Sequence, residues 1–250
     1  MTKPGEIKAV FFDAGGTLFH PHPSVGHVYA ATARKYGKKI SVSDIDRAFY
    51  RIWRKKGGMA SLGKNASPVT EKAWWRARVQ EVFSSFGGVE PFEPFFEELF
   101  HIFGSAKTWR LYPRAKTILK KLRQQDYKLA IVSNWDHRLF GICRGLGLEN
   151  MVDAVVASGH VGVSKPHKDI FNVALRKLRL KPSEALHVGD LLHEDYHGAR
   201  RAGLHALWLS HGQPIPRGAR AIKKLEGVVS FLESPRPYRL PARNSTRKER

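Results

Sequence analysis

The chain has 250 residues, more than a typical domain of about 100 to 150, so its length predicts one large domain or a core with a sizeable insertion. A content of 42% hydrophobic and 26% charged residues excludes a disordered chain, and no apolar run approaches the roughly 20 residues that span a bilayer. An excess of 43 basic over 22 acidic residues gives a net charge of +21, which would attract anionic small molecules, nucleic acid or acidic surfaces.

The basic residues are spread over residues 51–78 and again over the C-terminal thirty residues. A solubilising surface explains this distribution better than a dedicated patch, so nucleic acid is the less favoured partner. The N-terminus lacks the apolar stretch and small-residue cleavage site of a secretory signal, which predicts a cytoplasmic protein without a membrane segment. The single cysteine, Cys143, lies in an apolar, helix-like segment and is expected to be a buried hydrophobe.

The first predicted strand covers residues 7–12 and ends at Asp13, where Gly15 and Gly16 indicate a tight loop. Residues 23–111 then show amphipathic segments without a strand pattern, which predicts a helical cap inserted after the first strand. Its helices are expected at residues 25–36, 43–56, 70–86 and 94–103, with turns at 57–58, 63–68 and 87–88. Its aromatic residues are expected to form the core of the cap rather than a ligand cage: Phe49, Trp53, Trp74, Trp75, Phe83 and Phe86.

Strands and helices alternate in the rest of the chain. Strands are predicted at residues 128–132, 152–157, 185–188 and 205–209, and helices at 113–125, 138–145, 168–178 and 194–202. This alternation favours an α/β fold, a Rossmann-like parallel sheet with helices on both faces. The core domain is therefore predicted to comprise residues 1–22 and 112–211, and the cap residues 23–111. Residues 212–250 would form a basic C-terminal extension, with a short helix at 228–232 and disorder from Ser234 onward.

Polar side chains follow the predicted strands at the points where they end. In an open parallel sheet, ligands bind outside the carboxyl ends of the strands. Asp13, Ser133, Lys165 and Asp190 are therefore expected to converge on one crevice. Taken singly, each of them would also fit an ordinary turn former, helix cap or surface side chain.

Together, and in this order, these residues resemble the four motifs of the haloacid dehalogenase-like superfamily, whose members carry a helical cap between the first and second motifs. The motifs are Asp13-Ala14-Gly15-Gly16-Thr17, Ser133-Asn134, Lys165-Pro166, and Gly189-Asp190 with Asp195. The resemblance covers residues 7–209, and the residues around the second to fourth motifs are similar to one branch in particular. It implies a hydrolase, in the first place a Mg²⁺-dependent phosphatase that acts on a small phosphorylated metabolite.

The resemblance also implies roles for the motif residues. Asp13 would attack phosphorus and form an aspartyl-phosphate, with Lys165 and Ser133 supplying positive charge and a hydrogen bond. A carboxylate can attack a phosphate only if cations offset the repulsion between the two anions, so a Mg²⁺ site is expected. The implied metal ligands are Asp13, the carbonyl of Gly15, Asp190 and, through a bound water, Asp195. The implied substrate-binding residues are Gly15, Gly16, Thr17 and Asn134.

Position 15 departs from the pattern of the family's phosphatases, which usually carry there a second aspartate that acts as general acid and base. Its loss typically costs a factor of about 10² to 10⁴ in rate, and His20 or His22 would be the nearest substitutes. Two alternatives therefore stay open: a metal-independent dehalogenase-type hydrolase, and a catalytically impaired protein that binds a phosphorylated ligand or RNA. The paired Asp190 and Asp195 argue against the first. The sequence indicates neither the particular substrate nor the oligomeric state.

Overall fold

The computed structural model describes residues 6–234 and contains a six-stranded parallel sheet and a separate two-stranded antiparallel sheet. The strands are β1 (Ala9–Phe12), β2 (Phe19–Pro21), β3 (Trp109–Leu111), β4 (Lys128–Ser133), β5 (Ala154–Ala157), β6 (Ala185–Gly189), β7 (His205–Leu209) and β8 (Ala221–Ile222). The order in the main sheet is β5-β4-β1-β6-β7-β8. Because β1 lies between β4 and β6, the first strand of the chain occupies the middle of the sheet.

The helices fall into a group before β3 and a group after it. The first group is α1 (Val25–Lys35), α2 (Val42–Lys56), α3 (Pro68–Ser84) and α4 (Phe92–Ile102). The second group is α5 (Ala115–Gln124), α6 (Arg138–Gly145), α7 (Ser158–Val161), α8 (Lys168–Leu178), α9 (Gly198–Arg201) and α10 (Gly227–Leu232). Serine side chains begin two of them: Ser24 accepts a hydrogen bond from His27 N at the start of α1, and Ser67 accepts one from Thr70 N at the start of α3.

The sheet is buried on both faces, as a parallel sheet with crossover helices requires. Alternate residues of β1 point to opposite sides, so Val10 and Phe12 join one hydrophobic cluster with α5, α6 and α10. Ala9 and Phe11 join a second cluster, on the other face, with α8 and α9. The predicted Rossmann-like sheet with helices on both faces is confirmed. Cys143 is buried in the first cluster, as its apolar neighbours indicated.

Helices α1 to α4, which we call the cap, pack around a hydrophobic core of their own. Phe83 stacks on Tyr29 and meets Phe95 edge to face within it. The antiparallel pair of β2 and β3, with Phe19 opposite Leu111, joins the two ends of the inserted segment to the main sheet domain. This short antiparallel pair places the cap directly above the carboxyl ends of the parallel strands.

Several local predictions need correction. After α2, 3₁₀ turns cover Gly58–Asn65 and are interrupted at Gly63, where φ is 52°, so the turns predicted at 57–58 and 63–68 overlap the two ends of this segment. The helix predicted at 194–202 is a π-helix over Leu192–His197 followed by α9. The antiparallel strands β2 and β3 and the short strand β8 were not predicted, because runs of two or three residues carry too little periodicity. The disorder predicted from Ser234 onward falls on residues 235–250, which lie outside the described residues. Within residues 6–234, none of the helices is long and apolar enough to cross a bilayer.

Candidate active site

The carboxyl ends of β1, β4 and β6 bring the motif residues together. Asp13 directly follows β1, and its backbone N donates to Val188 O at 2.9 Å, which extends the pairing with β6 by one residue. Ser133 is the last residue of β4, and Asp190 directly follows β6. Lys165 arrives from the segment between α7 and α8, and its side chain is buried against these strand ends.

Asp13 accepts two hydrogen bonds on the same carboxylate oxygen. Lys165 Nζ lies 2.5 Å from Asp13 Oδ1, and Ser133 Oγ donates to that oxygen at 2.8 Å. Lys165 also donates to Asp195 Oδ1 at 2.6 Å. The ammonium therefore bridges two carboxylates, and the second oxygen of Asp13 is left outside these bonds.

Asn134 fixes the backbone of Lys165 rather than pointing a free amide into the crevice. Its Oδ1 accepts from Lys165 N at 2.7 Å, and its Nδ2 donates to Lys165 O at 3.0 Å. The same Nδ2 donates to Glu194 Oε2 at 2.7 Å. Asn134 also lines the crevice, so the prediction that it binds substrate stays a prediction, and its observed contacts add a second role, that of positioning Lys165.

Three carboxylates form one cluster, in which oxygens of Asp13, Asp190 and Asp195 lie within 4.8 Å of one another. Asp190 Oδ1 accepts from the hydroxyl of Thr17 at 3.1 Å. Both oxygens of Asp195 are engaged: Oδ1 by Lys165 and, at 2.9 Å, by His187 Nε2, and Oδ2 by Leu191 N at 2.9 Å. Asp13 and Asp190 therefore offer oxygens more freely than Asp195 does.

Two glycines of the motifs make room for this cluster. Gly16 has a φ of 84°, and a Cβ at this position would collide with the carboxylate of Asp190. A Cβ at Gly189 would collide with the carboxylate of Asp195, which the π-helix carries back toward the end of β6. π-Helical turns are often found at functional sites.

The electrostatics of the cluster suit a divalent cation. Burial raises the pKa of Asp13, with Lys165 opposing this effect, and burial together with Asp13 and Asp195 raises the pKa of Asp190 well above its usual range. Burial acts in the same direction on Asp195, but Lys165 and His187 hold its pKa below the ordinary value. Three carboxylates around one ammonium leave an excess of negative charge, and hard carboxylate oxygens are the ligands that Mg²⁺ prefers.

Position 15 is closed to a larger side chain by Trp135. A Cβ on Gly15 would lie 2.8 Å from Cζ3 of that ring. The ring has little freedom to move, because it packs edge to face against Phe19 and Trp109, with centroids 5.7 and 5.0 Å apart. The second aspartate of related phosphatases is thus replaced here by a glycine under an indole ring.

The two histidines proposed as substitutes for that aspartate differ in position. His20 lines the crevice, with its Nδ1 3.0 Å from Pro21 O, whereas His22 is not part of the lining. His211 was not predicted; it lies just after β7, with its Nε2 2.7 Å from Gly16 O. Its position could have been predicted, because polar residues that follow parallel strands lie at the edge of the sheet where ligands bind. Glu194, the residue before Asp195, was also not predicted. Burial raises the pKa of Glu194 to about 8.

A cavity of about 340 Å³ lies between the cap and the carboxylate cluster. This volume is in the range of small-molecule sites, about 300 to 1,000 Å³. Its wall includes Phe49, Trp53 and Trp75. Phe49 belongs to the cap core and the two tryptophans pack against it, as expected, so these three side chains contribute both to the core and to the cavity wall. Phe83, in contrast, is buried in the cap core as expected.

A parallel α/β sheet that carries a nucleophile-like aspartate, a buried lysine and an acidic cluster beneath a helical cap defines the class of capped α/β hydrolases. The model of the haloacid dehalogenase-like hydrolases matches residues 7–203, and the chain belongs to this family. The family predicted from the motifs is thereby confirmed.

Similar proteins indicate which branch of the family the chain resembles. The human haloacid dehalogenase-like hydrolase domain-containing protein 3 is 32% identical over 229 residues, 91% of each chain, and this is the branch that the motif residues indicated. A glyceraldehyde 3-phosphate phosphatase of Pyrococcus abyssi is 33% identical over 138 residues, 50% of this chain and 56% of that protein. The magnesium-bound HAD-hydrolase YfnB of Bacillus subtilis superposes with a TM-score of 0.72 at 20% identity, over 91% of this chain and 99% of that one.

Proposed function

We propose that the protein is a Mg²⁺-dependent phosphatase that hydrolyses a small phosphate monoester through an aspartyl-phosphate on Asp13. The observation that carries this proposal is the bridging of Asp13 and Asp195 by the buried Lys165, with Asp190 in the same cluster. The nucleophile thereby has a fixed cation beside it and acidic oxygens that suit a metal.

In the proposed reaction, a carboxylate oxygen of Asp13 forms a bond to phosphorus while the bond from phosphorus to the alcohol oxygen breaks. Lys165 and the hydroxyl of Ser133 hold Asp13 in place before the reaction. The third N–H of Lys165 can donate to the phosphoryl oxygens as charge shifts onto them, and the single proton of Ser133 can turn from Asp13 to the phosphoryl group. Mg²⁺, when bound by Asp13, the Gly15 carbonyl and Asp190, would offset the repulsion between carboxylate and phosphate. Water then cleaves the aspartyl-phosphate and restores Asp13.

The Gly15–Trp135 arrangement limits the proton transfers of this reaction. With no carboxylate at position 15, the departing alkoxide lacks the usual proton donor, and the attacking water lacks the usual base. Esters with acidic alcohols therefore react faster than esters with alkyl alcohols, and hydrolysis of the aspartyl-phosphate is slow.

Relatives support the proposal. One relative is named as a phosphatase, and one superposed structure holds magnesium. The dehalogenase reading has one specific observation in its favour, the glycine at position 15. Against it stands Asp190, which is buried beside Asp13 at the cost of a strongly raised pKa and has no evident use in a metal-free reaction.

The direct test is steady-state hydrolysis of p-nitrophenyl phosphate, measured with added Mg²⁺ and with a chelator. We expect activity that depends on Mg²⁺ and is abolished in Asp13→Asn, in which the amide keeps the shape but cannot attack phosphorus. Chloride release from 2-chloropropionate, measured in the chelator, forms the second arm. Halide release without metal, together with no phosphate release, would replace the phosphatase by a dehalogenase.

A further inference from the structure

We propose that the organic part of the substrate is an uncharged, apolar group, aromatic or aliphatic, which fills the cavity beneath the cap. This inference rests on the proposed phosphatase function, because it assumes that the phosphate end lies at Asp13. It goes further by assigning a chemical class to the alcohol that the phosphate esterifies.

The first observation is the composition of the cavity wall. On the cap side, the ring planes of Phe49 and Trp75 are nearly parallel, with an interplanar angle of 3°, and Trp53 stacks on Trp75 at 5.7 Å between centroids. On the opposite side, the wall is formed by Trp109 and Trp135. An organic group that is attached to the phosphate and extends toward the cap is therefore in contact with aromatic rings on both sides.

The second observation is that the charged side chains of the wall are already engaged. Arg138 donates to both oxygens of Asp136 and, through NH1 at 2.7 Å, to Phe100 O, and its guanidinium lies 3.5 Å from the centroid of the Phe100 ring. Glu194 accepts from Asn134 through Oε2, and its other oxygen offers the substrate an acceptor rather than a cation. Among the described residues that line the cavity, the permanently charged cations Arg138 and Lys165 are both held in ion pairs, so neither is free to bind a second anionic group on the substrate.

The histidines of the wall each use one ring nitrogen: His20 Nδ1 lies near Pro21 O, and His211 Nε2 lies near Gly16 O. The other polar atoms above the carboxylate cluster include the hydroxyls of three neutral side chains, Tyr29, Tyr50 and Tyr112. A carboxylate or a second phosphate would lose its water here without a permanently charged cation to replace it. Each buried methylene, in contrast, increases affinity about fourfold.

The test uses alkylphosphonates, which place a phosphate-like group at Asp13 and cannot be hydrolysed. Calorimetry with Mg²⁺ present would compare methyl-, butyl- and hexylphosphonate, so that turnover does not enter the result. Three added methylenes should raise the affinity about 60-fold from methyl to butyl. A matched pair of equal size, 2-methylpropylphosphonate and phosphonoacetate, separates apolar character from shape. The branched alkyl compound should bind at least tenfold more tightly than the carboxylate.

Two adjacent tryptophans provide matched variants. Trp75 lines the cavity, whereas Trp74 lies outside its wall and donates from Nε1 to Ser61 Oγ at 3.1 Å. Trp75→Ala should reduce the ratio of butyl to methyl affinity at least fivefold, and Trp75→Phe should restore most of it. Because the Trp74 ring packs edge to face against Trp75, with centroids 4.9 Å apart, the control is Trp74→Phe, which keeps an aromatic ring there and should retain the parent ratio. Circular dichroism of each variant shows whether the fold is kept.

The outcomes separate this inference from the proposed function. If neither inorganic phosphate nor methylphosphonate binds with Mg²⁺ present, the phosphate site itself is wrong, and both proposals fail. If methylphosphonate binds but affinity does not rise with chain length, or phosphonoacetate binds more tightly than its branched alkyl partner, the apolar substrate class is overturned while the phosphatase stands. An unchanged ratio in Trp75→Ala would also overturn the assignment of the cavity.

Discussion

Replacing Glu71 by glutamine should stabilise the protein at pH 8 and leave its stability at pH 5 nearly unchanged. Glu71 lies on α3 of the cap and is fully buried against the sheet domain, where its Oε1 accepts from Ser158 Oγ at 2.5 Å. Its Oε2 has no hydrogen-bond partner among the described residues. Burial raises the pKa of Glu71 to about 7, and Asp136 acts in the same direction against the opposing effects of Ser158 and Arg138.

The sign follows from the protons bound by each state. Between pH 4.5, the ordinary pKa, and pH 7, the folded protein keeps the proton of Glu71 while the unfolded chain releases it. The free energy of unfolding therefore falls as pH rises through this window, by up to about 3 kcal/mol, and stays low above pH 7. Glutamine resembles the protonated acid and does not titrate, so the variant avoids this loss.

The assay is thermal and urea unfolding of the parent and Glu71→Gln at pH 5 and pH 8. For a chain of this size, about 3 kcal/mol corresponds to a rise in Tm of roughly 6 to 12 °C at pH 8. Glu97→Gln is the matched control, because Glu97 is exposed on α4 and, within residues 6–234, pairs with Lys72 alone, at 2.8 Å. It should change stability by less than about 1 kcal/mol at either pH. A Glu71→Gln variant that is equally destabilised at both pH values would show instead that Glu71 is ionised and stabilising in the folded protein.

Three further changes probe the site. Asp190→Asn should weaken Mg²⁺ binding at least tenfold in calorimetry, and unchanged binding would remove Asp190 from the metal site. Gly15→Asp should destabilise the fold by about 1 to 3 kcal/mol in urea unfolding, because its Cβ collides with Trp135, and the same substitution should cost less when it is introduced into a Trp135→Ala variant. Asn134→Ala should lower kcat by about 10² with a smaller effect on KM, since it frees the backbone of Lys165; an equal loss in KM would point to substrate binding instead.

The fold and the main residues of the site could be predicted because they depend on local patterns. The apolar run of β1 ends at Asp13, and parallel strands bring their carboxyl ends to one edge, so Ser133 and Asp190 had to lie near it. The boundaries of α6 and α8 agree with the predicted ones, since both segments have clear apolar periodicity and polar residues at their ends.

The rest depends on contacts between residues far apart in the chain. That Trp135 covers Gly15 follows from ring packing with Phe19 and Trp109, which no local pattern encodes. Asn134 holds Lys165 across 31 positions, so its positioning role needed the loop geometry. Trp75 lines the cavity and Trp74 does not, because of the rotation of α3 about its axis. The sequence places the two tryptophans next to each other and does not indicate which of them is directed toward the site.

The proposed mechanism requires that Asp13 becomes phosphorylated during turnover. Rapid mixing of the protein with an activated aryl phosphate and Mg²⁺, followed by acid quench and mass spectrometric mapping of peptides, would detect this intermediate. Because no carboxylate at position 15 activates water, the aspartyl-phosphate should accumulate. We expect close to one phosphoryl group per protein on the peptide that contains Asp13, together with a burst of aryl alcohol, and neither in Asp13→Asn. Steady release of the aryl alcohol with the phosphoryl group on another residue, or continued turnover in Asp13→Asn, would contradict this mechanism.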